Sequence, residues 1–417
     1  MSYIRFASPG QNLNISHFQH TLEIPVLLNK GLCLAAMFPS NALLLVLGVV
    51  HLLFSVSALP FDQGSFLDFG MDANEEGLTM MRDVEDGSAG GAISFPEEIV
   101  CPFACICFNM VVQCSDLNLH YIPREIPHDT RLLDLQNNLI VGLGEHDFEG
   151  LSNLETLVLE NNQISMVHPQ AFLPLQKMKK LYISHNLLTA IPKNLPTSLV
   201  ELRVNDNFIK RIPHGVFAGL DKMNSIEMGR NPIQNSGFAH GAFYGLTLNY
   251  LRISEAKLTA VPKGFKTSIH SWNIYLPDNL HELHLDYNQI KAIELYDLSR
   301  YTSLIRLGLG YNKILTIDHG SLAYLYNLRE LHLDNNRLSQ VPTGLPYMTQ
   351  LQVVHLHSNN ISEIGLNAFC LDNVGAHQAV YSGISLFSNP VKYWEVDPNA
   401  FRCIRNQIGI QFGNASK

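Results

Sequence analysis

The segment Leu154-Glu-Thr-Leu157-Val-Leu159-Glu-Asn-Asn162-Gln-Ile164 returns, with its apolar and Asn positions kept, as Leu328-Arg-Glu-Leu331-His-Leu333-Asp-Asn-Asn336-Arg-Leu338. The ninth residue of this unit falls at Asn138, Asn162, Asn186, Asn207, Asn231, Ala256, Asn288, Asn312, Asn336, Asn359 and Asn389. A unit this short cannot bury its own apolar face. Only stacking on its neighbours gives it a core, so the chain must form an elongated array.

Each position has a physical role. Side chains alternate along a strand, so the apolar residues at positions 4 and 6 point inward and positions 3, 5 and 7 point outward. The ninth Asn turns the chain inward, where its amide can satisfy backbone groups of the adjoining turn. These are leucine-rich repeats. The expected fold is an α/β leucine-rich repeat solenoid with a curved parallel β-sheet on its concave face. Eleven strands at about 4.8 Å give a stack roughly 50 Å long.

The intervals between ninth positions are 24, 24, 21, 24, 25, 32, 24, 24, 23 and 30 residues. Short turns contain Ile191-Pro192 with Leu195-Pro196, or Val341-Pro342 with Leu345-Pro346. Proline favours extended backbone, so these turns are expected to lack a helical back. Long turns carry segments such as Ala171-Phe172-Leu173-Pro174-Leu175. The order is short, long, long. The 32-residue interval stands where a short turn is due, which implies an insertion near Gly264–Tyr275 on the convex side.

The N-terminus reads as processing signals. The apolar run Ala42–Val56 is short for a membrane span, and Val56 and Ala58 are small residues at the −3 and −1 positions of a cleavage site. Cleavage after Ala58 is expected, with an uncleaved anchor as the alternative; Met37 is a plausible start. Charge excludes a basic footprint for nucleic acid. Beyond residue 82, Asp and Glu number 31 against 25 Lys and Arg, a net charge of −6.

Of seven cysteines, Cys33 precedes the cleavage site, leaving Cys101, Cys105, Cys107, Cys114, Cys370 and Cys403. An even set behind a signal peptide means disulfides in an oxidising compartment. Zinc at these cysteines is the weaker reading, because no C-x2-C pair is present. The first four close the open end of the array, and Cys370 and Cys403 close the other.

The spacing Cys101-x3-Cys105-x-Cys107-x6-Cys114, then Ser115-Asp116-Leu117, resembles the class I small leucine-rich proteoglycans. So do Leu59-Pro60-Phe61-Asp62-Gln63, Cys101-Pro102-Phe103, Leu133-Asp134-Leu135-Gln136-Asn137-Asn138, Ile253-Ser254-Glu255-Ala256-Lys257-Leu258 and Tyr393-Trp394-Glu395-Val396. The resemblance covers about residues 58–417 without the insertion, and not residues 1–36. It implies the pairs Cys101–Cys107, Cys105–Cys114 and Cys370–Cys403, whereas spacing alone allows fifteen connectivities. It also implies an "ear" repeat between Asn359 and Asn389, and a propeptide ending at Met80-Met81-Arg82 before Asp83.

The organisation expected is an upstream extension over 1–36, a signal peptide over 37–58 and a propeptide over 59–82. An acidic flexible tail over 83–100 precedes a cysteine cap over 101–128. Repeats then run over 129–365, with the extra loop near 264–275, and the ear and second cysteine cap occupy 366–417.

The family attaches glycosaminoglycan to Ser in Ser-Gly pairs beside acidic residues. The one candidate in this tail is Ser88, in Glu85-Asp86-Gly87-Ser88-Ala89-Gly90, where Ala replaces the expected Gly. The intact pairs Ser236-Gly237 and Ser382-Gly383 fall within the repeats. Sequons stand at Asn14, Asn360 and Asn414. Asn360 is position 10 of its repeat, should reach solvent and matches a family site; Asn414 is the second candidate. Another family sequon reads His319-Gly320-Ser321 here and is lost.

The outward strand residues have no core duty, so binding is expected there. Position 5 reads Asp134, Val158, Tyr182, Arg203, Glu227, Arg252, His284, Gly308, His332, His355 and Ser385; position 7 adds Glu160, Asp286, Asp334 and His357. In a family member, an Arg and an acid in the motif resembling Leu251-Arg252-Ile253-Ser254-Glu255 contact collagen, which carries that role onto Arg252 and Glu255. His332 and His355 are close enough to share an ion, but a polar row explains them equally well, and neither metal nor other cofactor is expected. No G-x-S-x-G, H-E-x-x-H or phosphate loop is present, so no enzyme is expected. The resemblance implies a secreted extracellular-matrix protein that binds fibrillar collagen and modulates fibril assembly. It further implies partners in transforming growth factor beta and Toll-like receptors, and homodimers through the concave face. The alternative is a soluble leucine-rich signalling ligand or decoy without a glycosaminoglycan chain.

Overall fold

The computed structural model describes residues 101–262, 276–371, 381–404 and 406–413. The expected signal peptide, propeptide, acidic tail with Ser88 and extra loop near 264–275, and the sequon residue Asn414, lie outside the described residues. The chain divides into units 1–91 and 92–417, and everything described belongs to the second.

One fourteen-stranded sheet runs along this unit in sequence order. It opens with an antiparallel hairpin, Ile106–Phe108 with Val111–Gln113. Every later neighbour is parallel, from Leu132–Asp134 on Val111–Gln113 to Ile410–Gln411 on Gly383–Ser385. The repeat strands are three residues long and cover positions 3 to 5, with the position 4 side chain buried and its neighbours half-exposed, as in Thr156–Val158 and Tyr250–Arg252. Positions 4 and 6 are sealed: Leu157, Leu159, Leu331 and Leu333 have no exposed surface. Burying one such side chain contributes about 1.5–3 kcal/mol.

The Asn ladder stitches the turns. Asn162 Nδ2 donates to the carbonyls of Leu135, Leu159 and Glu160 at 2.9, 3.2 and 3.3 Å, and its Oδ1 accepts from Ile140 N at 3.0 Å. Asn312 repeats this on Leu285, Leu309, Gly310 and Ile290. At Ala256 the ladder has no amide, and the Ile233 N–H that it would meet donates instead to the Asn231 carbonyl at 2.7 Å.

The residue before each ladder position has positive φ, including Asn137, Asp206, Arg230, Glu255, Tyr287, Tyr311 and Ser388. This left-handed residue turns the strand inward so that position 9 can enter the core. For a non-glycine it costs about 1–3 kcal/mol, offset by the ladder bonds it permits.

On the convex side, the long turns pack phenylalanines in a spine: Phe148 on Phe172 at 6.1 Å and Phe217 on Phe243 at 5.7 Å. Their backbone bonds run from residue i+3 to i, as from Leu175 N to the Phe172 carbonyl. The helical pieces among the described residues are single 3-10 turns such as Ser321–Tyr324, because 24-residue repeats leave room for little more. One expectation is corrected. The short turn at Leu345-Pro346 does carry a helical turn, Leu345–Tyr347, since Pro346 sits in its first turn, where no N–H is required.

Disulfides close both ends. Cys101 joins Cys107 and Cys105 joins Cys114 beside the opening hairpin, while Cys370 joins Cys403 at the far end. There Phe369 also stacks on Phe401 at 5.4 Å.

Candidate functional site

Parallel register aligns position 5 of each repeat into one continuous row. Arg203 is paired with Glu227, Glu227 with Arg252 and Arg252 with His284, followed by Gly308, His332, His355 and Ser385. Position 3 supplies a second row at its side, with Glu201, Tyr250, Glu282, Arg306 and Glu330.

The two rows exchange ion pairs. Arg203 reaches Glu201 at 2.7 Å and Glu227 at 3.5 Å, with its guanidinium 4.5 Å from the Tyr182 ring centre. Burial disfavours the charged guanidinium, but the carboxylates outweigh it and hold its pKa above the ordinary arginine value. Burial pushes the Tyr250 hydroxyl up to about 12, so it stays protonated. Glu160 is raised by burial, and Asp134 likewise.

Arg252 lies in the middle of this surface, with 40% of its side chain exposed, and Nη1 reaches Glu227 Oε2 at 3.9 Å. Glu255 stands at the rim on a positive-φ residue, φ 54°. Its Oε2 meets Arg230 Nε at 2.8 Å, and Arg230 Nη1 meets Asp206 Oδ1 at 3.4 Å. The two residues singled out by motif thus sit in two parallel chains of charge, one on the strands and one on the rim. The sequence reading missed Arg230, Glu201 and Arg306. Counting positions 3 and 8 along with 5 and 7 would have found them.

Further along, His284 lies 3.3 Å from Glu282 and 3.6 Å from Asp286. Asp286 also accepts from Gly310 N at 2.8 Å and lies against Gly308, where an added Cβ would run into the carboxylate. His357 stacks on Phe387 at 4.2 Å and approaches Asp334 at 3.6 Å. At the rim, Tyr287 stacks on Tyr311 at 4.1 Å.

Asn360 is exposed, as is Ser362 of its sequon, and the adjacent Asn359 turns inward to donate to Leu333 and Leu356. Among the described residues, no helix is long and apolar enough to cross a membrane.

This arrangement is an extended polar surface rather than a reaction pocket, and comparison with known proteins gives it a family. A leucine rich repeat model matches residues 130–188, 278–338 and 326–371. A leucine rich repeat N-terminal domain model matches 100–127, and a BspA type leucine rich repeat model matches 196–287. Biglycan of Canis lupus familiaris is 55% identical over 377 residues, covering 88% of this chain and 98% of that protein. The chain belongs to the biglycan family. Biglycan of Homo sapiens is 55% identical over the same shares of both chains, and that of Xenopus laevis is 55% identical over 87% of this chain and 96% of its own. A chain in the solved octameric complex of Latrophilin 3, Unc5D and FLRT2 is similar in fold, with TM-score 0.55 and 26% identity over 73% of this chain and 82% of that one. As a biglycan-family member the protein is a secreted extracellular-matrix core protein of the proteoglycan type. Its leucine-rich solenoid is the fold of a structural or binding protein.

Proposed function

We propose that the sheet face binds fibrillar collagen, with Arg252 and Glu255 among the contacts, and that the protein thereby modulates fibril assembly. The observation that carries this reading is the alternation of charge along the face. Arg203, Glu227 and Arg252 follow one another in register on successive strands, beside the rim chain Asp206, Arg230 and Glu255. Strands spaced by about 4.8 Å present these charges at regular steps, which suits a rod-like partner bearing side chains of both signs. These side chains are mostly half-buried rather than enclosed, so their charged ends remain open to a partner on the face.

On this reading the protein controls the availability of transforming growth factor beta, signals through Toll-like receptors when released, and forms homodimers through the same face in competition with collagen. Asn360 carries an N-glycan, as does Asn414, and no catalysis is involved. A second reading is favoured by one observation: Ser88 is followed by Ala89. On that reading the core protein acts without a glycosaminoglycan chain, as a soluble ligand or decoy.

The test reverses both charges, R252E with E255K, and measures binding of the secreted protein to immobilised fibrillar collagen. Affinity should fall about tenfold or more for the double variant. Unchanged affinity in a folded double variant would remove the proposal. Intact mass before and after chondroitinase decides between the two readings of Ser88.

A further inference from the structure

The sequence reading assigned no metal, because it weighed His332 and His355 as two neighbours in a polar row. The structure adds a third donor. His332 and His355 are register partners on the strands Glu330–His332 and Val353–His355, with rings stacked at 4.4 Å and 24°. Glu330 lies two residues before His332 on the same face, and its Oε1 is 2.6 Å from His332 Nε2. One ligand atom from each of Glu330, His332 and His355 lies within 4.8 Å of the other two. Among the described residues no other three His, Cys, Asp or Glu side chains meet that condition.

We propose that Glu330, His332 and His355 form a binding site for a divalent ion of the zinc class on the sheet face. Two imidazole nitrogens and one carboxylate oxygen are a donor set that suits zinc, with the fourth position left to water. Neighbouring groups already orient these donors. Asp334 Oδ1 stands 3.8 Å from His332 Nδ1, on the far side of the ring from Glu330, the placement that steadies a metal-bound imidazole. Arg306 Nη2 holds the other oxygen of Glu330 at 2.8 Å and leaves Oε1 toward His332. Ser385 Oγ lies 3.4 Å from His355 Nδ1 and steadies that ring.

The hydrogen bond between Glu330 and His332 is shorter than the donor spacing around an ion. Ligand atoms about 2.0–2.1 Å from a tetrahedral ion stand about 3.3 Å apart. The ion therefore takes the place of the hydrogen in that bond and spreads the two atoms by roughly 0.7 Å. The displaced proton of the neutral ring goes to Nδ1, the nitrogen that faces Asp334. Side chains that are 25% and 31% exposed can make that movement. The cysteines of both caps are in disulfides and are not competing ligands.

The test needs no collagen. The full secreted protein, stripped with chelator and dialysed, is titrated with zinc chloride alone by calorimetry. One ion should bind per chain. H355F keeps the stacked ring without its donor nitrogens, and E330Q keeps the shape of Glu330; each should weaken binding about tenfold or more, whereas H146Q on the exposed convex side should not. Cobalt in place of zinc should give the visible absorption of a four-coordinate ion, lost in H355F. Circular dichroism and melting temperatures establish that both variants fold. Wild-type affinity in folded H355F and E330Q, or no saturation up to about 100 μM zinc in the wild type, overturns the proposal.

Discussion

Glu255 meets Arg230, one turn back along the rim, with Oε2 2.8 Å from Nε. Arg252, three residues earlier, reaches Glu227 on the sheet face. The first pair stands on two residues with positive φ, 52° at Arg230 and 54° at Glu255. That geometry allows charge and stability to be separated. E255G removes the carboxylate but relieves the left-handed backbone, a gain of about 1 kcal/mol. Loss of an exposed pair costs about 0.2–1 kcal/mol, and glycine adds unfolded-state entropy of similar size. The unfolding free energy should thus change by less than about 1 kcal/mol. Collagen affinity should nevertheless fall, because the carboxylate proposed to contact collagen is gone. A chemical denaturation curve and a binding isotherm on one preparation check both halves.

The ladder offers a sharper stability prediction. Asn312 shares each of its main carbonyl acceptors with a neighbour: Leu285 also accepts from Asn288, and Leu309 also accepts from Asn336. N312A therefore leaves those carbonyls partnered and orphans mainly the Ile290 N–H, which Asn312 Oδ1 accepts at 3.0 Å. One buried unsatisfied donor costs about 1–3 kcal/mol. The Ala256 turn tolerates the same loss because Ile233, following Pro232, donates to Asn231. Ile290 follows Gln289, without that constraint. Thermal unfolding of N312A should show a destabilisation of about 1–3 kcal/mol, and a melting point equal to wild type would sink this account.

Leu157, Leu159 and Asn162 were legible because their roles repeat at fixed offsets, so a single period determines strand, core and ladder together. Glu255 was legible as a charge but not as a left-handed residue, and Arg230 was missed as both. Position 8 holds Asn in some turns and Arg, Glu, Tyr or Ser in others, so propensity hides a backbone state that the stacking imposes. Glu330 was hidden differently. Position 3 borders the strand edge, and its period does not show that the Glu330 carboxylate is shared between His332 on one oxygen and Arg306 on the other. The one-turn helix at Leu345–Tyr347 was concealed because Pro346 suggests extended backbone unless it falls in a first turn.

His284 should make stability depend on pH. Burial disfavours its charged form, but hydrogen bonds and charges from Asp286 and Glu282 outweigh it, and its pKa lies above the ordinary 6.5. The Tyr250 ring, 5.2 Å away, and Arg252, its register partner on the preceding strand, also face it, while its partner on the following strand is Gly308. A raised folded value stabilises the protein fully below about 6.5, and the stabilisation is lost as pH rises through the folded value. Against wild type, H284Q should flatten the fall in stability above pH 6.5, by at most about 1.4 kcal/mol per pH unit. Equal slopes for the two proteins would exclude His284 as the source.

Asn359 and Asn360 are adjacent yet opposed, the first donating to Leu333 and Leu356 within the ladder and the second exposed. N360Q should remove one N-glycan from the secreted protein with little change in melting temperature. N359Q should lower the melting temperature and leave the sequon Asn360-Ile361-Ser362 intact. Mass spectrometry before and after glycosidase treatment reads the first result, and a persistent glycan in N360Q would place it elsewhere.

The disulfide between Cys370 and Cys403 spans 33 residues and secures the end of the sheet where Gly383–Ser385 and Ile410–Gln411 pair. In the chain-entropy model, closing a loop of that length stabilises by about 4 kcal/mol. Other contacts tie the same segment. Arg402 donates to the Leu366 carbonyl at 2.7 Å and to Asn367 Oδ1 at 2.8 Å, and Phe369 stacks on Phe401. A repeat array loses stability locally at its ends, because each turn contacts only its neighbours. C370S with C403S should therefore fray this end while the rest of the stack holds. Hydrogen exchange should rise at Ile384 and Ile410 by a hundredfold or more, about 3 kcal/mol of lost protection, and stay unchanged at Leu157. Uniform acceleration along the chain would mean instead that the far cap governs the cooperativity of the whole solenoid.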